Sequence, residues 1–118
     1  MTEYELIVSS GVSFKESGSE YLVLLAETEA FIEACKRNSV PILGMDAFKL
    51  VGEQGIMPLM EYDLILKGFF EPTREAWANR TCEEALEFAR NVRVPELYYV
   101  FVTDLDDQLQ TRESSLTS

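Results

Sequence analysis

The stretch VPILGMDAF, Val40–Phe48, decides how this chain is read. Pro41 disfavours helix at Val40 and begins an extended segment, and apolar residues continue on both sides of Gly44 and Asp46. Residues 41–51 therefore read as a strand, GEQG (52–55) as a turn with glycine at both ends, and IMPLMEYDLIL (56–66) as the returning arm of a hairpin. Pro58 has no N–H to give a ladder, which places the start of that arm at a sheet edge or a bulge. Gly44 inside a strand marks a bulge or the close approach of another backbone. Without a bulge, residues 44, 46, 48 and 50 share one face. Asp46 then sits beside Phe48 and Leu50, a costly place for a charge unless a partner or the sheet edge serves it.

Upstream of this stretch the period changes. Between Glu27 and Asn38, Ala30, Phe31, Ala34 and Cys35 share a helical face, with Glu29, Glu33, Lys36 and Arg37 mostly away from it. Lys36 and Arg37 fall in the last turn, where cations suit the negative end of the helix dipole. Earlier still, YELIV (4–8) and EYLVLL (20–25) have strand composition, GVSF (11–14) continues a sheet after a turn, and KESGSE (15–20) reads as a loop.

Downstream, EPTREAWANR (71–80) reads as a short helix with Pro72 in its first turn. A separate helix opens at TCEE, where Thr81 as N-cap and Glu84 three residues on form a capping box. Cys82, Ala85, Leu86, Ala89 and Val92 stripe one side of it, and Glu83, Glu84, Glu87, Arg90 and Asn91 face water. LYYVFV (97–102) is almost wholly apolar and reads as a central strand. The expected fold is α+β: one domain over residues 1–107, with one sheet of about five strands, including the central hairpin, packed by two main helices. Residues 108–118 are expected to form a flexible C-terminal tail.

The chain has 118 residues and carries 21 Asp plus Glu against 10 Lys plus Arg, a formal charge of −11. Such a balance repels phosphate backbones and anionic lipid, so neither direct nucleic-acid binding nor membrane binding is expected. It leaves solubility or attraction to a basic protein partner as the meaning of the charge. No apolar run approaches the roughly 20 residues that span a bilayer, and MTEYELIV lacks the basic start of a signal peptide. The expected location is cytoplasmic. Cys35 and Cys82 lie among small and apolar residues without CxxC spacing, so they read as packing thiols.

The chain has no histidine, which removes Ser-His and Cys-His triads and the usual transition-metal ligand sets. Its glycines have no phosphate-loop or dinucleotide spacing. Glu61 and Asp63, two apart in EYD, would share a strand face about 6–7 Å apart at the backbone; a solvated face explains them better than catalysis. DLDD (104–107) begins like a calcium loop but lacks its glycine and distant glutamate, and reads as the turn ending the last strand. Trp77, Tyr98 and Tyr99 are placed in the core, with an interface as the alternative. No enzyme activity, metal or cofactor is expected.

The order of elements over about residues 20–103, with the stretch around Gly44, resembles bacterial polymorphic-toxin immunity proteins, and in particular Immunity protein family forty. That family's signature is an Ile-Leu-Gly-Gly-Asp run followed by an aliphatic and an aromatic residue. Ile42, Leu43, Gly44, Asp46 and Phe48 match it, and Met45 stands where the second glycine would be. The resemblance implies a cytoplasmic antidote that binds and blocks a toxin domain delivered by a neighbouring cell, as in contact-dependent inhibition. It carries over no inhibitory residues.

On this reading Asp46 bonds the free backbone N–H groups of a bulge at Gly44; the alternative is a contact with an arginine of the toxin. Acids are spread along the chain without a single block, so any acidic patch is assembled by folding. The candidate partner-binding residues are Glu61, Asp63, Glu71, Glu75, Glu83, Glu84 and Glu87, facing a basic toxin domain. A small acidic adaptor or subunit with another protein partner is the alternative function, and self-association is left open.

Overall fold

The computed structural model describes residues 1–53, 55–66 and 71–105. The expected tail at 108–118, Asp106 and Asp107 of DLDD, and Gln54 of the hairpin turn lie outside the described residues. The elements are α1 (Glu3–Ser9), β1 (Phe14–Ser17), β2 (Glu20–Leu24), α2 (Thr28–Arg37), β3 (Ile42–Val51), β4 (Gly55–Pro58), β5 (Leu64–Ile65), α3 (Arg74–Asn91) and β6 (Tyr98–Thr103). All strand pairs are antiparallel, in the order β1-β2-β6-β3-β4, with β5 also on β3. The architecture is α+β as expected, with LYYVFV supplying the central strand.

The helices pack on one face of the sheet. Phe31 of α2 meets Phe101 with ring centroids 4.5 Å apart, Phe88 of α3 meets Tyr99 edge-on at 6.3 Å, and Tyr4 of α1 meets Phe14 at 6.4 Å. Register puts Met45 opposite Phe101, and Ala47 and Val23 opposite Tyr99, so these residues share the helix-covered face. The buried side of α3 is built of Ala78, Thr81, Cys82, Ala85, Leu86 and Ala89. Small side chains let it sit close against its neighbours. Both cysteines are free and buried in this layer. Burial pushes the Cys82 thiol up to about 12 and Cys35 well above its ordinary value, so both are inert packing groups.

Four expectations need correction. Residues 4–8 are helical, not a strand. Thr2 accepts a hydrogen bond from the Glu5 N–H (3.1 Å) while Glu5 accepts one from the Thr2 N–H (2.7 Å), a capping box that starts α1. The helix then buries Leu6 and Ile7 together, which strand alternation would have sent to opposite faces.

Residues 15–20 are not a loop. They carry the β1–β2 hairpin, whose two-residue turn has Gly18 in first place at φ 61°, a conformation glycine adopts without strain.

Residues 71–91 do not hold two helices. α3 runs unbroken from Arg74, capped by Thr73, whose hydroxyl accepts from the Ala76 N–H at 3.0 Å. Thr81 is therefore no N-cap but a buried mid-helix residue. No glycine or proline interrupts residues 74–91, so nothing in the backbone stops the helix there. In α2, finally, Ala30 is exposed, and the buried face is Thr28, Phe31, Ile32, Ala34 and Cys35.

The opening stretch forms β3, with a register shift between Ile42 and Gly44 where it pairs β6. Both readings of Gly44 hold, since a bulge adjoins it and another backbone crowds it. A Cβ at Gly44 would lie 2.9 Å from the Leu64 carbonyl oxygen of β5. The bulge is served from α3, where Thr81 Oγ1 accepts the Ile42 N–H at 2.9 Å and donates to the Ala78 carbonyl at 3.2 Å.

Candidate protein-docking surface

The other face of the sheet carries no helix among the described residues. Antiparallel sheets open to water on one side usually alternate apolar-in and polar-out; this one is apolar on both sides. Its cross-strand rows follow from the register. Ile65, Gly44 and Val102 make one row, Asp46 and Val100 the next, and Pro58, Phe48, Tyr98 and Leu24 a third. Leu50 and Ile56 extend the face along the β3–β4 arm, and Leu22 and Lys15 extend it towards β1.

The middle of this face is sheltered and its margins are bare. Leu22 is 1% exposed and Val100 4%, against 38% for Leu50, 43% for Val102 and 69% for Ile65. A cleft of about 410 Å³ lies between the arms of the two hairpins, lined by Lys15, Ser17 and Leu22 from one and by Leu50, Glu53 and Ile56 from the other. Sheet twist accounts for it, because opposite corners of a twisted sheet curl towards the same side.

Asp46 stands in this apolar setting. It is half-buried, and its carboxylate accepts no hydrogen bond among the described residues. It does not brace the bulge. The N–H donors near it are taken by other side chains, that of Ile42 by Thr81 and that of Ala47 by Asp63 at 2.7 Å. Burial raises the Asp46 pKa above its ordinary 3.8, and the nearby carboxylates of Asp63 and Glu20 raise it further.

This has a measurable consequence. An acid whose pKa is higher folded than unfolded binds protons more tightly when folded, so stability falls as pH rises through that interval and stays reduced above it. Asp46→Asn is therefore expected to raise the urea midpoint at neutral pH, by less than about 1 kcal/mol for a partly solvated group. The gain should fade as pH falls through 3.8 and vanish well below it, where the wild-type carboxyl is protonated in both states. A loss of stability at neutral pH would show that Asp46 supports the fold.

The signature residues divide between the two faces. Ile42 is fully buried, Gly44 is buried against β5, and Leu43, Asp46 and Phe48 are half-buried. Glu61 and Asp63 are not a pair on one strand face. Residues 60–62 form a 3-10 turn, anchored where Tyr99 Oη donates to the Tyr62 carbonyl at 2.8 Å; Glu61 is exposed there while Asp63 turns in to bond β3. Burial pushes the Tyr99 hydroxyl up to about 12, so it remains a donor.

Glu71 pairs with Arg80 at 3.2 Å, and Glu75 is exposed in the first turn of α3. Glu83, Glu84 and Glu87 are exposed on the outer side of α3, with Arg90 nearby and itself paired to Glu29. Glu83 and Glu87 line one surface cleft with Asn91, Glu61 lines another cleft that also includes Asn91, and Asp63 is turned in against β3. Asp104, first of DLDD, is buried and paired with Arg74 at 3.6 Å, and its N–H donates to the Pro41 carbonyl at 2.9 Å. It ties the end of β6 to α3 and to the start of β3.

Of the aromatics, Tyr99 is core, Tyr98 lies on the helix-free face, and Trp77 is half-buried with an indole N–H that meets no acceptor among the described residues. Among the described residues no group of three or more His, Cys, Asp or Glu could hold a metal ion, and no helix is long and apolar enough to cross a membrane. Sequence reasoning missed the exposed Val102 and Ile65. The strand period was readable, but which face the helices leave bare was not.

No family model, curated protein or solved structure matches this chain.

Proposed function

We propose that this chain is an immunity protein: a cytoplasmic, stoichiometric inhibitor that binds a basic toxin domain and blocks it. The observation that carries this reading is the charge of −11, together with exposed carboxylates at Glu83, Glu84 and Glu87 on α3. An acidic surface speeds encounter with a basic partner and rejects acidic ones. The resemblance of Ile42, Leu43, Gly44, Asp46 and Phe48 to the signature of Immunity protein family forty supports a toxin domain as that partner. A small acidic adaptor uses the same charge for another protein, and the exposed apolar margin at Ile65 and Val102 suits either role.

The discriminating experiment is co-expression. The domain at the C-terminal end of the protein encoded immediately upstream is produced in a bacterial host with and without this chain. Growth arrest by the domain alone, relieved by this chain in a one-to-one complex, is the expected result. Arrest that persists despite full expression of this chain, or an upstream frame without a toxic domain, would leave the adaptor reading in its place.

A further inference from the structure

We infer that the toxin is held on the helix-free sheet face, by an apolar surface carrying one lysine or arginine that seats against Asp46. This rests on the function proposed above and locates its inhibitory surface. It moves docking away from the outer acids of α3, which are left the task of steering.

Three observations converge on this face. First, its margins expose Leu50, Val102 and Ile65 on strands whose other side already faces the helices. Exposed apolar side chains rimming a sheltered floor at Leu22 and Val100 form a contiguous surface of the kind that marks a partner site. Second, Gly44 leaves the row between Ile65 and Val102 without a side chain. With no side chain between them, the exposed Ile65 and Val102 flank Gly44 in one apolar row, and the Leu64 carbonyl takes the place a Cβ would need.

Third, the carboxylate in this apolar surface has no hydrogen bond among the described residues, and two further acids, Asp63 and Glu20, act on it. Lys15 is on the same face but lies three strands away, about 14 Å along the sheet at the usual strand spacing. A cation brought by the partner would satisfy Asp46, and removing that contact from water would strengthen it.

Charge also selects the occupant. Two copies of a chain with formal charge −11 would bring two Asp46-bearing faces together, and like charges in an interface cost several-fold or more in affinity. A basic domain meets the same face with complementary charge.

The test measures binding kinetics between the full chain and the domain encoded upstream, with melting temperature as a folding control and sedimentation to report self-association. Val102→Glu and Ile65→Glu place a charge at exposed positions, Ile65 on a short strand at the sheet edge. Each is expected to weaken binding by about 30-fold or more, mainly through faster dissociation, with melting little changed. Asp46→Asn should weaken binding by about tenfold without lowering the melting temperature. Glu83→Gln with Glu87→Gln should slow association and flatten its salt dependence, leaving dissociation as it was.

Wild-type affinity in both Val102→Glu and Ile65→Glu would overturn the assignment of this face and leave the proposed function standing. A wild-type chain that fails to bind the domain at all would overturn both. A wild-type dimer split by Ile65→Glu, with toxin affinity unchanged, would assign the face to a second copy and overturn the inference.

Discussion

Gly44→Val is expected to lower stability by about 2 kcal/mol or more, the net of two opposing effects. The new Cβ would lie 2.9 Å from the Leu64 carbonyl oxygen, and the obstacle is backbone, which cannot swing aside as a flexible side chain can. Forcing extra atoms into such a site costs about 1–3 kcal/mol and occasionally more. Loss of glycine's freedom in the unfolded chain returns only about 0.4–1 kcal/mol, so the clash wins, and β-branching at Val enlarges it.

The damage should centre on β5. Leu64 and Ile65 must move off β3, weakening the bond from the Leu66 N–H to the Leu43 carbonyl, now 2.8 Å. Gly44→Ala should lose less, because one methyl asks for a smaller displacement. Urea melts of both variants would measure this. A valine variant within about 0.5 kcal/mol of wild type would mean that β5 is not held against β3 as described.

Thr81→Val is expected to cost about 2 kcal/mol, for a reason that has nothing to do with helix capping. Valine keeps the shape of threonine and has similar helix propensity, so packing at this fully buried position is nearly preserved. What disappears is the acceptor for the Ile42 N–H. That donor sits where the β3–β6 register shifts, so no ladder carbonyl stands ready to replace the hydroxyl. An orphaned buried donor costs about 1–3 kcal/mol.

Thr81→Ser, which keeps the oxygen and drops a methyl, should retain most of the stability. The serine and valine variants separate the hydrogen bond from the methyl contact. If serine lost as much as valine, packing rather than the hydrogen bond would be what Thr81 contributes at this junction.

Several features were legible in the residues because they are local. Helical spacing located α2 and the apolar stripe of α3, Pro41 marked the start of β3, and Pro58 marked an arm on the sheet edge. The uninterrupted apolar run of LYYVFV identified β6 as central. Two local signals pointed the right way and were outweighed by composition. The Thr2–Glu5 spacing is a capping box inside what looks like a strand, and Gly18-Ser19 is a hairpin turn inside what looks like a loop.

Thr81 shows the converse case. Its spacing to Glu84 imitates a cap, yet helix continues through it, because a buried hydroxyl can satisfy itself against Ala78 and reach across to another element.

By itself, then, the sequence determined the α+β class, the central strand, the hairpin whose first arm begins at Pro41 and a strongly acidic composition. These depend on residue period, on turn chemistry and on counted charge. Only the tertiary structure decided that Thr81 and Asp63, rather than Asp46, serve the N–H groups of β3, and that Asp46 stands without a hydrogen bond among the described residues. It also decided that α1, α2 and α3 take the same side of the sheet, leaving Leu50, Val102 and Ile65 on the side without a helix among the described residues. The reason is physical: strand period assigns residues to two faces but carries no label for which face is covered. That depends on contacts between elements far apart in the chain, such as Phe31 with Phe101 and Thr81 with Ile42.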